Sequence, residues 1–95
     1  MNVSLVDFTA AWCGPCKVMK PILDGLATHY HIPIRYVDVE DERDVADRYL
    51  VKSMPTLVVL RDGREVGRIV GSRPRAFVAG VIDRALAGDV AIAAP

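Results

Sequence analysis

Cysteine is scarce in this chain, with two in 95 residues. That is too few for a disulfide framework and too few, alone, to complete a tetrahedral zinc site. Charge of one sign is missing as well: twelve lysines and arginines balance twelve aspartates and glutamates. The balance argues against nucleic-acid binding and against an anionic membrane surface. No apolar run approaches the about 20 residues that a membrane-spanning helix needs, and no basic segment followed by a long apolar stretch opens the chain. The expected setting is therefore the cytosol. There a purely structural disulfide is disfavoured, and a lone CxxC serves catalysis or metal binding. Internal repeats are absent too.

What the chain has is ordered alternation. With 52% apolar and 25% charged residues, it reads as one soluble globular domain able to bury a core without metals or several disulfides. Val3 to Phe8 is short, β-branched and aromatic, and reads as a buried strand. From Cys13 to Tyr30 the positions Val18, Met19, Ile22, Leu23, Leu26, Ala27 and Tyr30 recur at three- and four-residue steps. That is one face of a helix, bent where Pro21 removes a backbone donor. Ile34 to Val39 follows as a strand and Asp41 to Leu50 as a short acidic helix. Thr56 to Leu60 and Glu65 to Val70 flank Asp62-Gly63, a strong hairpin signal. Pro74 opens a last helix with Phe77, Val81, Ile82 and Leu86 on one stripe and Gly88 past its end. This gives a domain over 1–88 and a loose tail over 89–95. The order βαβαββα implies a mixed four-stranded sheet with helices on both faces, its first two strands joined by a right-handed crossover.

Both cysteines fall in Ala11-Trp12-Cys13-Gly14-Pro15-Cys16-Lys17. Three chemistries compete for that spacing: a metal site, a structural disulfide, or a couple that opens and closes. Cys13-x2-Cys16-x12-His29, with His31 beyond, imitates part of a zinc finger. Yet a single residue separates the histidines, where a finger needs roughly three to five. A helix from Cys13 to Tyr30 also sets His29 roughly 24 Å from Cys13. The histidines are instead assigned to a solvated loop closing the helix, and no metal is expected. The redox reading explains the spacing directly. Cys13 at a helix N-terminus meets free N–H groups and the macrodipole, both of which stabilise a thiolate. Gly14 permits a tight turn, and Pro15 in the first turn forgoes no hydrogen bond. Cys16, one turn on, points back and is partly shielded, which leaves Cys13 as the exposed thiol.

Val6-Asp7-Phe8-Thr9-Ala10-Ala11-Trp12-Cys13-Gly14-Pro15-Cys16-Lys17, followed by Pro21-Ile22-Leu23, resembles the active-site segment of the thioredoxin family. Met54-Pro55-Thr56-Leu57 is similar to that family's cis-proline turn, and Gly63 and Gly71 match its hairpin and post-hairpin glycines. The resemblance runs from Val3 to Leu86 and implies a thioredoxin-like α/β fold without the usual first strand and helix, so that Ile34 to Val39 becomes a sheet edge. It also implies roles. Cys13 attacks a disulfide, Cys16 resolves the mixed disulfide, Asp7 is a buried proton acceptor beneath Cys16, and cis-Pro55 faces the thiols. Trp12, Gly14, Pro15, Met54, Val70, Gly71 and Ser72 border the groove that takes a client's cysteine segment, with Trp12 a half-exposed shield. The implied protein is a monomeric protein-disulfide reductase with no cofactor of its own, fed by a flavin-dependent thioredoxin reductase.

Two positions depart from the family pattern: Thr9 stands where a second tryptophan is usual, and Tyr36 where a lysine is frequent near the buried aspartate. Both bear on reductase recognition and redox potential. Two other readings compete. One is a glutaredoxin-like reductant fed by a small thiol; against it, Gly-Pro rather than Pro-Tyr lies between the cysteines, and no Gly-Gly segment follows the hairpin. The other is a binding module or assembly factor with dispensable thiols.

Overall fold

The structure, a computed structural model, describes residues 2–88 and 92–94. β1 (Val3–Thr9) leads through α1 (Gly14–Tyr30) to β2 (Ile34–Asp38). Then come α2 (Arg43–Arg48), the hairpin of β3 (Thr56–Arg61) and β4 (Arg64–Val70), α3 (Arg75–Leu86) and a short β5 (Ile92–Ala94). The sheet order is β2-β1-β3-β4-β5. β1 runs parallel to β2 and antiparallel to β3, so the expected four strands form the expected mixed sheet with β2 at one edge.

Side-chain alternation along β1 divides the core. Val3 and Leu5 join Met19, Leu23 and Leu26 of α1 and Val78, Val81, Ile82 and Ala85 of α3 on one face. Val6 and Phe8 meet Val37 of β2, Val58 of β3 and Val45 and Ala46 of α2 on the other. Helices thus cover both faces. The two-residue turn of the hairpin places Asp62 at φ 52° and Gly63 at φ 81°. Both are positive, as a primed turn that matches strand twist requires.

Several details differ from the pattern reading. Val18 is 62% exposed and Phe77 37% exposed. Each lies one position, about 100° of helix rotation, away from the buried row, which runs Met19-Leu23-Leu26 on α1 and Val78-Val81-Ile82-Ala85 on α3. Phe77 instead carries the Arg73 guanidinium over its ring at 5.0 Å. His29 belongs to the last turn of α1 rather than to a loop, and His31 caps that helix in the left-handed region at φ 56°. As expected, the helix runs through Pro21 to Tyr30. Part of the expected loose tail is ordered: Ile92–Ala94 pairs in parallel with Gly67, Arg68 and Ile69. The outer edge of β4 offers unpaired backbone groups that a small apolar segment can satisfy. The rest of the tail, 89–91 and 95, lies outside the described residues.

Leu23 has no exposed surface and sits where α1 meets the sheet. Leu23→Ala is expected to lower unfolding free energy by about 2–5 kcal/mol. Val18→Ala on the same helix should change it by less than about 0.5 kcal/mol. Urea titration of both variants checks which face is core.

Candidate functional site

The end of β1 and the start of α1 form one tight unit. The Cys13 N–H donates to the Ala10 carbonyl at 3.1 Å, turning the chain as it leaves the strand. Cys13 then serves as the N-cap of α1 in extended conformation (φ −91°, ψ 106°), and its Sγ accepts the Cys16 backbone N–H at 3.2 Å. A sulfur thus takes the place of the oxygen that usually satisfies a free N–H in a helix's first turn. Gly14 and Pro15 fill that first turn, exposed. Cys13 and Cys16 are joined by a disulfide with their Cα atoms 5.3 Å apart. As residues they are buried alike, 4% and 3% exposed, so Cys13 is not the exposed thiol that its position suggested. Ala10, Val39 and Met54 pack around the pair and cover it. What distinguishes the two sulfurs is the N–H directed at Cys13.

Trp12 is 65% exposed, more than a half-exposed shield would be. Across from the disulfide, the Met54–Pro55 peptide is cis and Pro55 is buried. The turn before it is fastened by the Thr56 hydroxyl, which donates to the Ser53 carbonyl at 2.7 Å. The Gly71 N–H donates to the Pro55 carbonyl at 2.8 Å, which brings the exit of β4 beside the proline. Gly71 sits at φ 87°, where a side chain would be strained. Val70 pairs with Thr56 and is half-buried, while Ser72, the next residue after Gly71, is exposed. Among the described residues no three His, Cys, Asp or Glu side chains converge as metal ligands do.

Asp7 lies under this unit. Alternation along β1 puts it on the face of Val3 and Leu5, toward α1, at 1% exposure. Its Oδ1 is buried without a hydrogen-bond partner. Burial disfavours the charged carboxylate, and the pKa rises from 3.8 to about 7. Asp7 and Cys16 line one pocket of about 210 Å³, whose other walls include Thr9, Lys20 and Tyr36.

The Thioredoxin family model matches residues 1–84. The chain belongs to the thioredoxin family. A thioredoxin H-type of Fagopyrum esculentum is 50% identical over 70 residues, 73% of this chain and 60% of that protein. A thioredoxin of Staphylococcus aureus is 44% identical over 87 residues, 90% of this chain and 84% of its own length. The X-ray structure of Fasciola hepatica thioredoxin superposes with a TM-score of 0.81 at 36% identity, covering 87% of this chain and 80% of that one. Membership of the thioredoxin family and the bonded Cys13–Cys16 pair make this a thiol–disulfide oxidoreductase whose substrates are protein disulfides. One feature was missed by sequence reading: Asp24 binds Tyr36 and Lys20, two residues of the pocket wall, into a polar cluster. Cys16, Lys20 and Asp24 are spaced at helical i, i+4 steps and so were legible as one row, but Tyr36 reaches them only through strand pairing.

The raised pKa of Asp7 has a thermodynamic consequence. Between 3.8 and about 7 the native state binds more protons than the unfolded chain, so unfolding free energy falls as pH rises through that window. Asp7→Asn removes this penalty. Its stabilising effect on the oxidised protein should be larger at pH 8 than at pH 4, by at most roughly 4 kcal/mol. Guanidinium unfolding at the two pH values checks this, and an equal effect at both would mean that Asp7 titrates as a solvated carboxyl.

Proposed function

We propose that the protein works as a reductant of protein disulfides, with Cys13 as nucleophile, Cys16 as resolving thiol and Asp7 as proton acceptor. The observation that carries this reading is the Cys16 N–H held on Cys13 Sγ at 3.2 Å at the mouth of α1. In the reduced protein that donor and the helix N-terminus favour the Cys13 thiolate, which is the attacking species. The thiolate attacks a client sulfur; the client S–S bond breaks, a Cys13–client bond forms, and the released client thiolate takes a proton from solvent. Cys16 then gives its proton to ionised Asp7 and attacks Cys13 Sγ. The mixed disulfide breaks, the second client thiolate leaves, and the Cys13–Cys16 bond closes. Two electrons have passed to the client. An acceptor with a pKa of about 7 suits this step near neutral pH, because enough of it is ionised to take a proton without being a weak base.

Pro55, Met54 and Gly71 stand across from the couple and, with Trp12, Gly14, Pro15, Val70 and Ser72, form the proposed client groove. The Gly71-to-Pro55 hydrogen bond and the packing of Met54 on the cysteine pair support it. A flavin-dependent thioredoxin reductase is the proposed electron donor, on the strength of the family relationship. The cytosol is the proposed compartment, since a couple that must be re-reduced needs a reducing environment.

Alkylation of the reduced protein at pH 6.5 should label Cys13 before Cys16, roughly tenfold faster for each pH unit by which its thiol titrates earlier. Cys16→Ser should accumulate mixed disulfides with clients, and the double Cys→Ser variant should lose disulfide reduction entirely. Faster labelling of Cys16 would reverse the two roles. Asp7→Asn should slow closure of the mixed disulfide at pH 7 by about tenfold or more, measured by rapid-mixing fluorescence. An unchanged rate would leave Cys16 losing its proton to water.

A further inference from the structure

Asp7 has two potential partners within its pocket, and neither is turned toward it. Tyr36 is directly opposite Asp7 in the β1–β2 register, so the two side chains share a face of the sheet. Lys20 is one turn beyond Cys16 on α1 and lines the same pocket. A hydroxyl or an ammonium turned inward would supply the buried Oδ1 with its missing donor. Both instead serve a third residue. The Tyr36 hydroxyl carries one hydrogen and donates it to Asp24 Oδ1 at 2.5 Å, with the Lys20 carbonyl 3.3 Å away. The Lys20 ammonium donates to Asp24 Oδ2 at 3.0 Å and lies over the Tyr36 ring, 4.6 Å from its centre. Each oxygen of Asp24 therefore holds one of the two groups that could serve Asp7.

We propose that Asp24 is a positioning residue of the redox centre, holding the Tyr36 hydroxyl and the Lys20 ammonium away from Asp7 so that the buried carboxyl keeps neither donor nor cation. The competition favours Asp24 for a physical reason. Asp24 is half-exposed and stays ionised at little cost, so it accepts strong charge-assisted bonds. Its pKa is lowered, first by the Tyr36 hydroxyl and then by Lys20. Asp7 becomes an equally good acceptor only after a desolvated charge has formed. The remaining groups facing Asp7 do not supply the need. Asp38 on β2 accepts the Glu40 N–H at 2.8 Å and the Asp41 N–H at 3.3 Å. Leu57, opposite Asp7 on β3, is apolar, and Thr9 of β1 carries no charge. Lys17 on α1 is exposed and is the same in every variant below.

The inference rests on the proposed role of Asp7, and the experiment separates the two. Titration of the Asp7 side-chain carboxyl is followed by ¹³C NMR in the oxidised protein, and closure of the mixed disulfide is followed against pH in the reduced one. An exposed ion pair contributes little to folding, so Asp24→Ala should fold normally. Freed from Asp24, Lys20 and Tyr36 can turn to Asp7, and its midpoint should fall by about one pH unit or more. Adding Lys20→Met and Tyr36→Phe to Asp24→Ala should return the midpoint to at least the wild-type value. An unmoved midpoint in Asp24→Ala overturns the proposal. So does a lowered midpoint that persists in the triple variant, because Asp24 would then act only through its own charge. If the Asp7 midpoint moves as expected while the pH profile of closure stays in place, the sequestering role stands and the proton-acceptor role of Asp7 falls.

Discussion

β1 is hydrogen-bonded on both sides, parallel to β2 and antiparallel to β3, and α1 starts within a few residues of its end. That position constrains everything at the redox centre. Because side chains alternate with period two, the registration that buries Leu5 toward α1 and Phe8 toward α2 also fixes Asp7 under α1. A slip of one residue would expel both apolar sets at once, so the carboxyl is held in place by the core rather than by any bond of its own. The short turn through Ala10 to Cys13 then starts α1 just past the strand's end, so that Cys16 and Asp7 line one pocket.

The centre combines two opposed electrostatic demands within one turn of helix. At the top, the Cys16 N–H and the helix terminus favour negative charge on Cys13 Sγ. Below, the apolar surroundings disfavour negative charge on Asp7. A carboxyl whose pKa burial raises to about 7 is the group proposed to take the proton of Cys16 near neutral pH. The desolvation of one carboxyl amounts to a few kcal/mol, and burial of side chains such as Phe8, Leu5 and Leu23 offsets it at about 1.5–3 kcal/mol each. A small domain can keep such a group only because the core around it is continuous.

Stability and chemistry meet again on the outer wall of the pocket. Tyr36 of β2 is tied to α1 by a hydroxyl–carboxylate bond to Asp24 and a cation–π contact with Lys20, and an ion pair joins Lys20 to Asp24 along the helix. Each is modest because the cluster is partly solvated. Together they choose which of two carboxylates receives the donors. The ring of Tyr36 stands opposite Asp7 in the sheet while its hydroxyl reaches out to Asp24, apolar body and polar tip serving different neighbours.

The sequence alone determined the element order, the amphipathic rows, the primed turn at Asp62-Gly63 and the CxxC at a helix start, because each depends on local spacing or on backbone preference. The resemblance carried by the segments around Cys13 and Pro55 extended that reading to the roles of the thiols. Spacing failed wherever one helical step separates a buried face from an exposed one, as at Val18 and Phe77, and where a short segment such as Ile92–Ala94 found an unpaired strand edge. Only the tertiary structure decided that Met54 covers the cysteine pair, that Gly71 meets Pro55, and that Cys13 is as buried as Cys16. It alone decided that Tyr36, set near Asp7 by the resemblance, gives its hydroxyl to Asp24, since strand pairing and helix packing bring that bond together. Burial and the competition between donors are properties of the assembled core, and no local pattern encodes them.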